Sequence, residues 1–306
     1  MTFQKIAVAG ATGFLGRKVL AHLLTISTVK RITVLTRSNS IPDFPTLPIL
    51  SVVSIPSYED QTALTSILRG HDLVISTIGG VAAQILDPVL LSAAVSAGVQ
   101  RFMPSEYTLD VMHPHAIAVA GSTVLAGRIR NAQAIQKLAE AGEIEYTTIV
   151  SGAILDWWFE NGDLGVDMRR KKVTLYDGGE KEVTGSTTDF ISHCVGAIVT
   201  MPPETTKNRR IRIAEVKYSG EEISEAFQEV TGEKWEVDER STDTLLNEGK
   251  KAGVKGDLRG LYLSHILALN FDGEGAAFFR EGLKFRGGSV KRRSLREIVK
   301  RFVASN

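Results

Sequence analysis

Residues 5–16 read KIAVAGATGFLG, an apolar run that breaks into glycines at 10, 13 and 16. Ile6 to Ala9 carry no charge, as suits a strand with both faces covered. Beyond the glycines, Phe14, Leu15, Val19, Leu20, Leu23 and Leu24 recur at helical spacing. Strand, GxxGxxG and helix in that order form the setting of a dinucleotide fingerprint. Gly10 permits the tight turn out of the strand. Gly13 keeps a side chain away from an approaching pyrophosphate, and Gly16 lets the helix pack close to the sheet. The helix start then offers free N–H groups and a positive dipole end to phosphate. Ala11, Thr12, Phe14 and Leu15 complete the expected contact loop. No Lys-Ser/Thr pair follows the last glycine, which excludes the phosphate loop of nucleoside triphosphatases.

Outward from this stretch, short apolar runs alternate with helical patterns. Strands are expected at Arg31–Arg37, Ile49–Ile55, Asp72–Ile78, Arg101–Pro104 and Glu145–Ile154. Helices are expected at Tyr58–Arg69, Ala82–Gly98 and Thr123–Ala141, with His113 and His115 in a loop before the last. This alternation implies βαβ crossovers and a parallel sheet. The predicted fold is α/β: a Rossmann-type doubly wound sheet over residues 1–154, with a smaller α/β substrate-binding part over 155–306 packed against it. In that second part, Lys171–Asp177 and Lys181–Ser186 flank Gly178-Gly179 and read as a hairpin. Asp189–Met201 reads as a helix, Arg209–Tyr218 as one strand with a wet face, and Glu221–Thr231 and Ser294–Ala304 as amphipathic helices.

Composition narrows the function. The chain has 306 residues, 43 % of them apolar, and a formal net charge of +1, so neither a nucleic-acid partner nor a membrane span is expected. Lys291-Arg292-Arg293 reads as solvated surface. Cys194 is the single cysteine and has no disulfide partner within the chain. The six histidines contain no HExxH pair, and no metal is expected. The first strand begins almost at residue 1, leaving no room for a signal peptide. The expected setting is the cytoplasm, as a monomer or homodimer.

Three strand ends refine the site. The second strand ends in Thr36-Arg37-Ser38, where an NAD-preferring site places Asp or Glu against the ribose 2′-hydroxyl. Arg37 instead suits a 2′-phosphate, with Ser38 and Asn39 as neutral donors, so the expected cofactor is NADP(H). Thr77, Ile78 and Gly79 end the fourth strand, Pro104, Ser105, Glu106 and Tyr107 follow the fifth, and Ser151 and Gly152 lie in the sixth. Ligands of open α/β sheets sit beyond these carboxyl ends.

GATGFLG, the arginine after the second strand, RFMPSEY, EYTTIVSGAILDWW and TTDF before a helix together resemble the NmrA-like and isoflavone-reductase-like family of atypical short-chain dehydrogenases. The likeness spans nearly the whole chain, and DWWFENG is most similar to the fungal branch. The resemblance implies NADP(H), a substrate cleft between the two parts, and often a role in secondary metabolism. It also implies a lysine on the helix before the sixth strand. The fungal spacing puts that position at Arg128, the plant spacing at Ala132, and Lys137 lies further on. Arginine holds its proton and cannot act as a base, though it can bind an oxyanion. None of the tyrosines has a lysine four residues on.

Arg128 and Tyr107 are therefore the candidate catalytic residues. His113, His115, His193 and Asp156 are weaker alternatives. Trp157, Trp158 and Phe159 are expected to line an aromatic substrate pocket, with Phe271, Phe278 and Phe279 closing its far side beside Gly273, Gly275 and Gly282. Three functions stay open from sequence. The leading one is an NADPH-dependent oxidoreductase acting on a small aromatic or polyketide-like metabolite. The others are a non-catalytic dinucleotide sensor and a redox-neutral cyclase or dehydratase.

Overall fold

The opening apolar run forms β1 (Lys5–Ala9), and every residue after Lys5 is buried. Alternation along it is two-sided: Ile6 and Val8 enter one core cluster, Ala7 and Ala9 the other. The computed structural model describes residues 2–37, 44–55, 57, 58, 60–285 and 290–305. Ser38 and Asn39 lie outside them. Gly13 caps α1 (Phe14–Leu23) without a side-chain hydrogen bond, and Leu15, Val19, Leu20 and Leu23 turn inward. There follow β2 (Arg31–Arg37), β3 (Leu50–Ile55), α2 (Gln61–Leu68), β4 (Leu73–Ser76), α3 (Gly80–Ser96) and β5 (Arg101–Met103). Then come α4 (Pro114–Ala120), α5 (Ala126–Glu140) and β6 (Glu145–Val150).

The expected sixth strand is broken. A Cβ on Gly152 would stand 2.2 Å from the Thr184 carbonyl oxygen, and its φ is +68°. The chain therefore leaves the large sheet at Ser151-Gly152 and starts a second one with β7 (Ala153–Ile154). After it come α6 (Leu155–Asn161), β8 (Val166–Asp167), β9 (Lys172–Tyr176), β10 (Val183–Ser186) and α7 (Thr188–Thr200). The remainder is β11 (Arg209–Arg212), β12 (Val216–Tyr218), α8 (Gly220–Thr231), β13 (Glu236–Arg240), α9 (Thr242–Val254), α10 (Leu258–Phe271) and α11 (Leu295–Ser305).

Seven parallel strands form the large sheet in the order β3-β2-β1-β4-β5-β6-β11. The order reverses between β1 and β4, which opens a crevice above their carboxyl ends. This is the expected doubly wound α/β architecture. The second part returns to it twice. β11 pairs with β6, and α7 packs on α1 so closely that a Cβ on Gly196 would lie 2.4 Å from the His22 ring.

Other expectations for the second part need correction. β9 and β10 are not a hairpin. β9 pairs with β8 and β13, whereas β10 pairs with β7 and β12. The turn between them is anchored elsewhere, because the Asp177 carboxylate accepts from the Thr242 N–H and hydroxyl at 2.9 and 2.5 Å. The single strand expected at Arg209–Tyr218 divides, since Ile213 and Ala214 are fully buried between β11 and β12, which serve different sheets. α4, α9 and α10 were not anticipated. α10 is buried continuously from His265 to Phe271, so it offers no one-sided period to read.

Candidate active site

Two cavities lie over the crevice. The first, of about 280 Å³, is bordered by Gly10, Thr12, Gly13, Leu35, Arg37, Tyr58, Thr77, Ile78, Gly79 and Leu86. The second, of about 330 Å³, is bordered by Gly13, Phe14, Leu15, Ile78, Gly80, Ser105, Glu106, Tyr107, Arg128, Gly152, Trp157, Trp158, Tyr262 and Ile266. Gly13, Thr77, Ile78 and Gly79 belong to both, so the two cavities form one bent cleft.

The shared floor is made of main chain. A Cβ on Gly10 would sit 2.7 Å from the Thr77 carbonyl carbon, and one on Gly16 would sit 2.1 Å from the Gly10 carbonyl oxygen. These two glycines are required by the protein's own packing. Gly79 differs: an added Cβ would meet nothing within 4 Å. It borders both cavities, so its missing side chain keeps the cleft clear. The uncapped start of α1, with no acidic residue in its first turn, faces the same floor. Free N–H groups, the dipole end and a bare backbone fit a pyrophosphate. Arg37, at the end of β2, supplies a cation on the wall of the first cavity. Tyr58 stands beside it, and burial pushes its phenol up to about 12.

The second cavity is made of side chains. Tyr107 follows β5 with φ 24°, an unusual conformation for a non-glycine residue. Its hydroxyl is buried without a hydrogen-bond partner among the described residues, and burial holds the phenol well above its ordinary pKa. Arg128 is 8 % exposed. It donates to the carbonyls of Ser105 at 2.7 Å, Glu106 at 3.3 Å and Gly80 at 3.4 Å. Arg128 thus braces the loops after β4 and β5. Trp157 and Trp158 meet edge to face, with ring centroids 5.4 Å apart.

A buried ion network fixes the loop that carries Tyr107. Arg210 on β11 pairs with Glu106, and its Nη2 lies 2.8 Å from Asp110. Arg212 reaches the other Asp110 oxygen at 2.5 Å. Burial pushes the Asp110 carboxyl up, but Arg210 and Arg212 outweigh it and hold the group below the usual range. The expected wet face of β11 is therefore a set of clamps, with the Arg210 side chain only 15 % exposed.

Of the residues expected from sequence, Gly10, Thr12, Gly13, Phe14, Leu15, Arg37, Thr77, Ile78, Gly79, Ser105, Glu106, Tyr107, Arg128, Gly152, Trp157 and Trp158 border the cleft. Ala11, Gly16 and Ser151 lie behind it in packing positions, and Pro104 borders a separate small void. Ser38 falls outside the described residues. Phe159 does not line the pocket. It is buried against Phe227 and Phe302, with centroids 5.1 and 5.5 Å away, because α6 turns its ring inward. Phe271 stacks on Tyr176, and Phe279 packs with Val150 and Ala214. Neither these two nor Phe278 closes the far side. Tyr262 and Ile266 of α10 stand there instead, four residues apart on one helix face.

The histidines and Asp156 serve the fold. His113 precedes α4 at the N-cap position without a side-chain capping bond, and His115 Nε2 lies 2.8 Å from Asp272. His193 lies against His22, the rings tilted by 36° with centroids 4.2 Å apart. Asp156 receives the Thr188 hydroxyl at 2.5 Å and joins α6 to α7. Among the described residues there is no cluster that could hold a metal ion, and no helix long and apolar enough to cross a membrane.

Known proteins share this sequence pattern and fold. An oxidoreductase of Penicillium oxalicum, poxI, is 31 % identical over 278 residues, covering 89 % of this chain and 84 % of that protein. An isoflavone reductase homolog of Arabidopsis thaliana is 28 % identical, covering 88 % of each chain. Among solved structures, AtPrR2 with NADP+ and (+)pinoresinol superposes with a TM-score of 0.74 at 20 % identity, over 99 % of each chain. The NADPH-dependent quinone oxidoreductase QOR2 of Escherichia coli, complexed with NADPH, gives 0.75 at 19 %, over 97 % of this chain and 99 % of its own. Residues 2–248 match the NmrA-like family, and with the match to poxI this establishes that the chain belongs to the NmrA-like family.

Proposed function

We propose that the chain is an NADPH-dependent reductase of a small aromatic or polyketide-like metabolite. Residues 1–154 would carry the nucleotide and 155–306 the outer substrate wall. The observation that carries this reading is the continuity of the cleft. One arm ends at Arg37, the other at Tyr107 and the Trp157–Trp158 pair, and a bare glycine floor joins them. Relatives named as oxidoreductases and structural neighbours holding NADPH support it.

Bound NADPH would supply the hydride. The main-chain amides at Gly13 to Leu15 would hold the pyrophosphate, and Arg37 the 2′-phosphate. Ala11 and Gly16 would shape that loop from behind. Ser38 would contribute beside Arg37, and Pro104 and Ser151 would support the nicotinamide end. Trp157, Trp158, Tyr262 and Ile266 would stack the substrate and exclude water. Tyr107 Oη would donate a hydrogen bond to the substrate oxygen that gains charge as the hydride arrives. Its raised pKa keeps it protonated for this task. Arg128 would hold the carbonyls around that point and leave its positive charge beside the developing anion.

The test is to mix the purified protein with NADPH and a panel of quinones, enones and aromatic ketones while following the absorbance of the reduced nicotinamide. Turnover of at least one aromatic acceptor is expected. Tight NADPH binding with no turnover over the whole panel would reject the reductase in favour of a sensor. Product formed without NADPH consumption would reject it in favour of a redox-neutral enzyme.

A further inference from the structure

Asp87 on α3 is 4 % exposed and borders neither arm of the cleft. Its carboxylate nonetheless gathers the strand ends that do. One oxygen accepts from the Ser76 hydroxyl at 2.6 Å, and the other from the Ser105 N–H at 2.8 Å. Ser105 passes the connection on in two directions. Its hydroxyl donates to the Ile78 carbonyl at 2.7 Å, and its own carbonyl accepts from Arg128 at 2.7 Å. One carboxylate thus links the ends of β4 and β5 to α5.

The helix is adapted to this. Pro88 has no N–H to close on the Gln84 carbonyl, and Asn131 of α5 reaches that carbonyl at 3.4 Å instead. A void of about 10 Å³ is bounded by Asp87, Ser105, Glu106, Arg128 and Asn131. Arg128 Nε, buried and without a partner among the described residues, belongs to the same group. A buried guanidinium calls for a compensating anion nearby, and a carboxylate with both oxygens occupied supplies one.

We infer that Asp87 is a positioning residue of the reducing site, fixing the ends of β4 and β5 and, through Ser105, the guanidinium of Arg128. It thereby sets where the adjacent Tyr107 hydroxyl meets the substrate. The inference rests on the reductase reading for its kinetic arm only.

Burial pushes the Asp87 carboxyl up to about 6, against the lowering effect of Ser76, Ser105 and Arg128, while Glu106 raises it further. Tyr58 and Tyr107 are its other titratable neighbours, and both stay protonated through this range. A carboxyl whose folded pKa lies above its ordinary 3.8 costs stability when ionised. That cost is absent below about pH 4 and complete above about pH 6, so wild type loses ground to Asp87→Asn as the pH climbs through this window. Function runs the other way. The ionised form accepts from both serines, and a proton on it leaves one acceptor fewer.

The experiment compares wild type, Asp87→Asn and Asp87→Ala. Amide exchange of segments 76–80 and 103–108, corrected for intrinsic rate, is followed in the free protein at about pH 5 and about pH 7.5, on either side of the Asp87 pKa. At both pH values Asp87→Ala should exchange about tenfold faster than wild type in these segments, with Asp87→Asn, which keeps one acceptor oxygen, in between. In turnover, wild type should show an acid limb near the Asp87 pKa that Asp87→Asn lacks, with NADPH affinity changed by less than about threefold. An acid limb retained in Asp87→Asn, or wild-type exchange in Asp87→Ala, would overturn the inference. Should wild type bind no NADPH, the reductase reading falls, and the exchange data decide the role of Asp87 alone.

Discussion

The two arms of the cleft are built from different materials. At the Arg37 end three glycines, an uncapped helix start and the carboxyl ends of β1, β2 and β4 form the floor, and all but Ala82 and Leu86 of its lining come from the first 79 residues. At the Tyr107 end the same floor is joined by Phe14 and Leu15 and by residues drawn from positions as far apart as 105 and 266. The first arm needs little but geometry, because a pyrophosphate is recognised by amides that every residue carries. The second needs particular groups at particular places, and it is held by supports equally spread out: Asp87, Arg128, Arg210 and Arg212. A backbone site suits a ligand common to many proteins. A side-chain site is where related chains would diverge in substrate.

Four substitutions sharpen this contrast. The largest effect is expected from Tyr107→Phe. Turnover should fall roughly 10²-fold, as for loss of an oxyanion donor, while NADPH affinity stays within about twofold. An equal loss in both would place Tyr107 in the nucleotide arm. Gly16→Val should come next. A Cβ 2.1 Å from the Gly10 carbonyl oxygen forces the loop open. NADPH affinity should drop more than about tenfold and stability by about 1–3 kcal/mol, read by calorimetry and thermal melting. Unchanged melting would mean that the loop tolerates the bulk. Arg37→Glu should weaken NADPH by about tenfold and leave NADH nearly unchanged, since only the former brings a 2′-phosphate to the reversed charge. Smallest is Trp157→Ala, which should raise KM for an aromatic substrate a few-fold with kcat held within about twofold. A collapse of kcat instead would make the ring part of the reacting geometry.

What could be read from the sequence follows the same division. The glycine spacing, the buried strands and Arg37 are local patterns, and Gly10, Gly13 and Arg37 border the first cavity. Tyr58 carried no such signal, because it reads as the start of the helix expected over Tyr58–Arg69, whereas α2 begins only at Gln61. Tyr262 and Ile266 were hidden in a helix whose second half, His265 to Phe271, is buried without a break. β9 and β10 looked like a hairpin because pairing is non-local. Nothing near Gly178-Gly179 shows that β13 and β12 will take their edges. Phe159 was misplaced by one step of helical rotation, since its neighbours Trp157 and Trp158 do border the cavity. Arg210 and Arg212 looked like surface charge, and only the pairing of β11 with β6 brings them to Glu106 and Asp110.

The most direct test is a calorimetric titration of the purified chain with NADPH and, separately, NADH. The cleft described here predicts one NADPH per chain at roughly micromolar affinity, with NADH weaker by about tenfold or more. No heat of binding with either nucleotide at millimolar concentration would contradict it.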